Sequence, residues 1–254
     1  EEYLKITRKL LKFIDSETGR YKDDPYVNNL LIKRKNVIHK AKRKSSCLLD
    51  IVDEIEPDNF RYAFIYVPEG YEANYDEIDL EPHNQTDDEK LISYFTKILY
   101  DQYGFRLRKF TGGTADRNEI LDQFAKGKLH ALLAMKCLDE GVDVPQTKYA
   151  IFCSSTGNPR QYIQRRGRVL RNHDGKEHAY IYDMIVNPRS ELGNLASTQA
   201  KVEKNIFLSE MRRLVNFAVL AENKIDCLAS IERISYDLDI DIYDLANLEE
   251  SKYQ

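Results

Sequence analysis

The sequence predicts an α/β protein built on a parallel, doubly wound sheet, with helices added before and after it. Three observations carry that reading. Short apolar runs rich in β-branched and aromatic residues recur between residues 62 and 184. Segments of helical rhythm alternate with them, and such alternation calls for right-handed crossovers within a parallel sheet. On both sides of this region the apolar period is helical.

Residues 2–14 place Tyr3, Leu4, Ile6, Leu10, Leu11, Phe13 and Ile14 at helical spacing, and Gly19 and Pro25 then break the pattern. From Val27 to about Ile55, Leu30, Val37, Ile38, Ala41, Leu48, Val52 and Ile55 recur at threes, fours and sevens. One long amphipathic helix is predicted there, and with the first it makes an N-terminal helical hairpin over 1–56. The texture changes at Pro57. "YAFIYV" (62–67), ended by Pro68, Glu69 and Gly70, reads as a strand buried on both faces. A helix near 86–101, a strand near 105–110, a helix near 116–126 and a strand near 129–134 follow. The series closes with a strand at 148–153, a helix near 159–168 and a strand at 178–184. The acidic segment 70–86 is expected to be an exposed excursion. From about 196 the chain turns helical again, with Ile206, Phe207, Met211, Leu214, Val215 and Ala218 on one face and a second helical stretch near 224–235. The expected organisation is a hairpin (1–56), a sheet domain (57–195) and a helical extension (196–254), with a frayed "SKYQ" end and no internal repeat.

Composition bounds the function. At 254 residues with 42% hydrophobic content the chain can bury a core, and its net charge of −4 argues against a uniform nucleic-acid coat. The basic residues are bunched, however: "KRKNVIHKAKRK" (33–44) holds seven Lys and Arg in twelve positions. That run reads either as a nucleic-acid contact or as a solvated helix face. Cys47, Cys137, Cys153 and Cys227 form no Cys-x-x-Cys pair, so neither a zinc site nor a disulfide framework is indicated and a reducing, cytoplasmic setting is expected. The five histidines show no metal spacing, and no metal site is expected. No apolar run approaches the roughly eighteen residues of a membrane span, and the start lacks a signal-peptide core. The absent initiator methionine implies a fragment of a longer polypeptide or a trimmed chain.

Three stretches carry chemistry, and in a doubly wound sheet the loops at the carboxyl ends of the strands form the ligand crevice. "KFTGGTADR" (109–117) leaves a strand and opens a helix; Gly112 and Gly113 let backbone N–H groups approach an anion, although a plain glycine turn fits as well. "AMKCLDEGVDVP" (134–145) offers Gly141 for close backbone approach and Asp143 for a ribose hydroxyl, or a structural turn before the next strand. "QRRGRVLR" (164–171) packs four arginines into eight positions around Gly167. Arg168 and Arg171, three apart, can meet one anion, for which the planar guanidinium fork is suited. A salt-bridged helix end is the plain alternative.

In this order and on this fold, the stretches resemble the second, RecA-like lobe of superfamily 2 helicases, of the DEAD/DEAH type and the restriction-enzyme and DNA-repair branch. The resemblance covers about 60–190. "YAFIYV" resembles the motif IV strand, "FTGGTADR" the segment after it, "CLDEGVDVP" motif V and "QRRGRVLR" motif VI. The resemblance implies that Arg168 and Arg171 are arginine fingers toward ATP and that Gln164, with Gly167, couples the nucleotide to the lobe interface. It implies that Gly141 and Asp143 contact the nucleotide sugar, and that Thr111, Gly112 and Gly113 meet the nucleic-acid backbone. Met135 stands where many relatives carry threonine and cannot donate to a phosphate, so Lys136 is the expected substitute under the resemblance. ATP and Mg2+ are implied as cofactors, with nucleic acid, in particular DNA, and an N-terminal RecA-like lobe as partners.

No Walker A loop is present: "AKGKLH" and "DGKEH" lack the following hydroxyl and the earlier glycine. "LLDIVDEIE" (48–56) continues the helical rhythm, so Asp53 and Glu54 read as a helix end. The first expectation is therefore the C-terminal lobe of an ATP-dependent helicase or translocase, without ATPase activity of its own. The alternatives are a non-catalytic binding module derived from such a lobe and, more remotely, an unrelated nucleotide-binding α/β domain.

Overall fold

The computed structural model describes residues 2–15, 21–68, 87–135, 142–154, 159–186, 197–237 and 239–253. The acidic segment 70–86, Lys136 and Gly141 lie outside the described residues.

Five strands form one parallel sheet: β1 (Ala63–Tyr66), β2 (Leu107–Phe110), β3 (Ala131–Ala134), β4 (Tyr149–Phe152) and β5 (Tyr180–Asp183), in the spatial order β2-β3-β1-β4-β5. The chain runs from β1 to β2 and β3 on one side, and the β3-to-β4 connection then crosses to the other side of β1, which makes the sheet doubly wound. Ala63 aligns with Ala131 on one side and with Tyr149 on the other. The sequence distinguishes the central strands from the edges. β1, β3 and β4 are apolar at every position and buried at every position, as strands covered on both faces must be. β2 (Leu-Arg-Lys-Phe) and β5 (Tyr-Ile-Tyr-Asp) mix in polar residues and lie at the two edges.

Helices α4 (Asp87–Tyr103), α5 (Arg117–Ala125) and α6 (Pro159–Val169) are the crossovers, each where the helical rhythm predicts one. The predicted single helix over 27–55 is instead two, α2 (Pro25–His39) and α3 (Arg43–Ile55), interrupted at residues 40–42. No proline or glycine marks that break, so the periodicity runs through it unperturbed. α3 buries Leu48, Ile51, Val52 and Ile55 in the sheet core, together with Phe60, Ile65, Leu91, Phe95, Leu99 and Ile151. Asp53 and Glu54 are helical, and Asp53 accepts a hydrogen bond from Tyr103 Oη at 2.7 Å. Burial and this carboxylate both push the Tyr103 phenol up.

The chain divides into two compact units, one spanning His39–Met184 and holding the sheet, the other comprising Glu1–Ile38 with Ile185–Gln254. α3 thus groups with the sheet. In the second unit, α1 (Glu2–Leu11) and α2 pair through Ile6, Leu10, Val27 and Leu30. There Arg34, buried within the basic run, donates to Tyr21 Oη at 3.2 Å with its guanidinium 5.6 Å from that ring. α7 (Ser197–Ala218), α8 (Lys224–Asp237) and α9 (Ile242–Glu250) form a separate core from Phe207, Met211, Val215, Ala218, Leu228, Ile231 and Ala246. α9 was not predicted; its signal is Asp241, whose carboxylate accepts from the Tyr243 and Asp244 amides and caps the helix. No helix among the described residues is long and apolar enough to cross a membrane.

Candidate nucleotide and nucleic-acid site

α6 carries the arginine-rich stretch, and its buried face explains how that stretch is held. Tyr162, Arg165, Arg166 and Val169 follow the i, i+3, i+4, i+7 pattern of a helix side packed on a core, and all four are buried. Arg165 and Arg166 are each 6% exposed. The Arg165 guanidinium lies 5.0 Å from the centroid of the Tyr66 ring, which stacks in turn on Phe152 at 4.7 Å. A cation over an aromatic face, desolvated as here, fixes the helix to the carboxyl ends of β1 and β4.

The other arginines of the stretch face away from that core. Arg168 is partly buried and donates through Nη1 to the Val142 carbonyl. Arg171, at 42% side-chain exposure, forms an ion pair through Nη1 with the Asp143 carboxylate, itself 70% exposed. Two predicted site segments are therefore in contact. Gln164 and Gly167 lie on the exposed side of the same helix. Lys176 fixes the helix end: its ammonium donates to the carbonyls of Pro145 (3.1 Å), Val169 (2.5 Å) and Arg171 (2.8 Å), and burial pushes its pKa down.

Of the three stretches, 142–143 and 168–171 are in contact, while 111–113 follow a different strand. α6 has 11 residues and spans about 16 Å, whereas a four-residue strand spans about 13 Å. Lys176 ties the end of that helix to the Pro145 carbonyl. Thr111, Gly112 and Gly113 directly follow β2, three strand spacings from β4 or about 14 Å across the sheet. There the Thr111 amide donates to Thr114 Oγ1 at 2.8 Å and the Thr114 amide to the Thr111 carbonyl at 3.1 Å, closing a tight turn. Met135 is a core residue, which accounts for an apolar side chain at that position.

Gly112, Gly113 and Gly167 have no internal reason to be glycine. None has a positive φ, and a Cβ on any of them would meet nothing within 4 Å. Gly127 is the opposite case, with φ 69° and the Tyr62 hydroxyl 2.8 Å from where a Cβ would stand. Without a side chain, the backbone at Gly112, Gly113 and Gly167 is open to close approach.

Residues 83–173 match the model of the helicase conserved C-terminal domain. They enclose the 109–117, 134–145 and 164–171 stretches together. This segment is similar to the C-terminal domain of helicases. The chain is 44% identical over 59 residues to the DNA 3'-5' translocase XPB2 of Sulfurisphaera tokodaii, a match covering 23% of this chain and 13% of that protein. It is 24% identical over 199 residues to the putative ATP-dependent RNA helicase MJ1505 of Methanocaldococcus jannaschii, covering 71% of this chain and 25% of that one. The matches thus span 13% and 25% of the length of these two curated relatives. Among solved structures, domain 2 of the DEAD-box helicase Mss116p bound to an RNA duplex is similar at 15% identity and a TM-score of 0.42, covering 84% of this chain and 81% of that chain. The Pyrococcus furiosus Hef helicase domain is similar at 22% identity and a TM-score of 0.39, covering 73% and 35%. The contact of 142–143 with 168–171 joins the stretches that resemble motif V and motif VI. Chemically it offers guanidinium donors for phosphate oxygens and a carboxylate for a hydroxyl.

Proposed function

We propose that the chain is the second lobe of an ATP-dependent helicase or translocase that acts on DNA and supplies Arg168 and Arg171 as fingers to a triphosphate held by an N-terminal RecA-like lobe. The observation that carries this reading is the meeting of Arg168 and Arg171 with Val142 and Asp143. A nucleotide approached by one segment is within reach of the other.

The Arg171–Asp143 pair does not oppose it. The carboxylate is exposed rather than internal, and an exposed pair contributes at most about 1 kcal/mol. A phosphate offers the guanidinium a charge-assisted, bidentate alternative that is stronger. Exchange of partners then releases Asp143 for a ribose hydroxyl, with Gln164 on the same exposed helix side to sense the nucleotide. ATP with Mg2+, when bound, supplies the phosphoryl group and the metal that neutralises its charge. Thr111, Gly112 and Gly113 grip the nucleic-acid backbone through amide and hydroxyl donors, without reading sequence. Gly141 and Lys136 complete the nucleotide and nucleic-acid contacts. DNA is favoured by the 44% identical relative, named as a DNA translocase, whereas the 24% identical one is named as a putative RNA helicase. The setting proposed is cytoplasmic.

The test is reconstitution with the N-terminal lobe and measurement of DNA-stimulated ATP hydrolysis. Arg168→Ala and Arg171→Ala should each lower the rate by about 10³-fold or more while DNA binding persists, as arginine fingers do elsewhere. Wild-type rates in either variant would remove the finger assignment, and stimulation by RNA but not DNA would remove the choice of DNA.

A further inference from the structure

At the amino edge of the sheet, away from the motif residues that follow β2, lies a cavity of about 440 Å³. Its volume falls within the range of small-molecule sites, roughly 300–1,000 Å³. The wall is made where three neighbouring strands begin: Tyr62 precedes β1, Lys148 precedes β4 and Tyr180 opens β5. Arg61 and Lys148 line it, and neither has a carboxylate partner among the described residues. Arg61 gives one weak bond, at 3.4 Å, to the Gly127 carbonyl. Lys148 places its ammonium 5.3 Å from the Tyr149 ring and 5.6 Å from the Tyr180 ring. Lys176 adds a third positive charge from the floor, its donors taken by carbonyls. The rim carboxylates Asp174 and Glu177 offset two of these three charges.

Two further features point to a ligand with a flat apolar part. Tyr180 is 40% exposed although it sits in a strand, stacked on Tyr149 at 5.4 Å. Tyr62 is held at φ 58°, a left-handed conformation that bulky side chains rarely adopt. Such strain persists where surrounding structure imposes it, commonly beside ligand sites.

We propose that this cavity is a second anion site, separate from the motif V and motif VI contact, which takes a nucleotide: its phosphate on Arg61 and Lys148, its base against Tyr180. The same chemistry is offered by a free mononucleotide and by the phosphorylated end of a nucleic-acid strand. Calorimetric titration of the 254-residue chain with AMP, inorganic phosphate and a short oligonucleotide carrying either a 5′-phosphate or a 5′-hydroxyl tests it. AMP should bind saturably and more tightly than phosphate, with Tyr180→Ala removing that difference. Arg61→Glu, at an exposed position, and Lys148→Glu should each weaken AMP by about tenfold to a hundredfold, the effect of one charge-assisted contact. Arg171→Ala should leave AMP binding unchanged. Competition by the 5′-phosphorylated oligonucleotide, and not by its 5′-hydroxyl form, supports the strand end as the source, whereas indifference to both supports the free nucleotide. The proposal is overturned if AMP and the phosphorylated strand give no saturable heat, if Arg61→Glu and Lys148→Glu bind like wild type, or if Arg171→Ala abolishes binding.

Discussion

Arg165 and Arg166 differ from Arg168 and Arg171 in environment although they share one short stretch. The first two are enclosed, with Arg165 over the Tyr66 ring, while the second two meet the motif V segment and Arg171 stands partly in solvent. The same side chain thus does different work in these two settings, and Arg171 lies just past the end of α6. On the inner face a guanidinium is a packing element that spreads charge over an aromatic plane. In the other setting it is a donor to the Val142 carbonyl or to the exposed Asp143 carboxylate. The inner pair and Lys176 hold this stretch in place.

The comparison breaks most readily at Arg165. Arg165→Ala removes a desolvated cation–π contact and leaves space against β1, so unfolding in urea should show a loss of about 2–4 kcal/mol. Arg171→Ala should stay within about 0.5 kcal/mol of wild type, as surface changes do. Equal stability in the two variants would erase the distinction between the settings.

The sequence made much of this legible. All five strands follow from apolar runs, and the central three differ from the edge two in the polarity that Arg108, Lys109 and Asp183 announce. The stripe Tyr162, Arg165, Arg166, Val169 was also readable, yet four arginines read as charge conceal that two of them continue an apolar face. The break at 40–42 was hidden because Lys40, Ala41 and Lys42 all favour helix, and only tertiary packing of α3 decides otherwise. α9 was missed because nine residues give too few turns for a periodicity, although the Asp241 cap marks its start. The meeting of residues 142–143 with Arg168 and Arg171 is a tertiary contact that no pattern in residues announces.

Gly167 sharpens the comparison at a smaller scale. On the exposed side of α6 a methyl group meets nothing, so Gly167→Ala should raise stability by up to about 1 kcal/mol through helix propensity alone. In the reconstituted enzyme the same change should lower DNA-stimulated ATP hydrolysis, because the open backbone is proposed to face the seam. A variant gaining both stability and full activity would show that the glycine serves no approach.

The smallest effect concerns Arg171 and Asp143 themselves. If the pair is a resting contact and not a structural bond, a double-mutant cycle with Arg171→Ala and Asp143→Ala should give a coupling of about 0.2–1 kcal/mol in chemical unfolding, reduced further by added salt. Asp143 is more exposed than Arg171, so little desolvation was spent in making the pair and little is recovered on breaking it. A coupling of several kcal/mol would place the guanidinium in a structural role, leaving Arg168 as the side chain on which a transferable phosphate contact would have to depend.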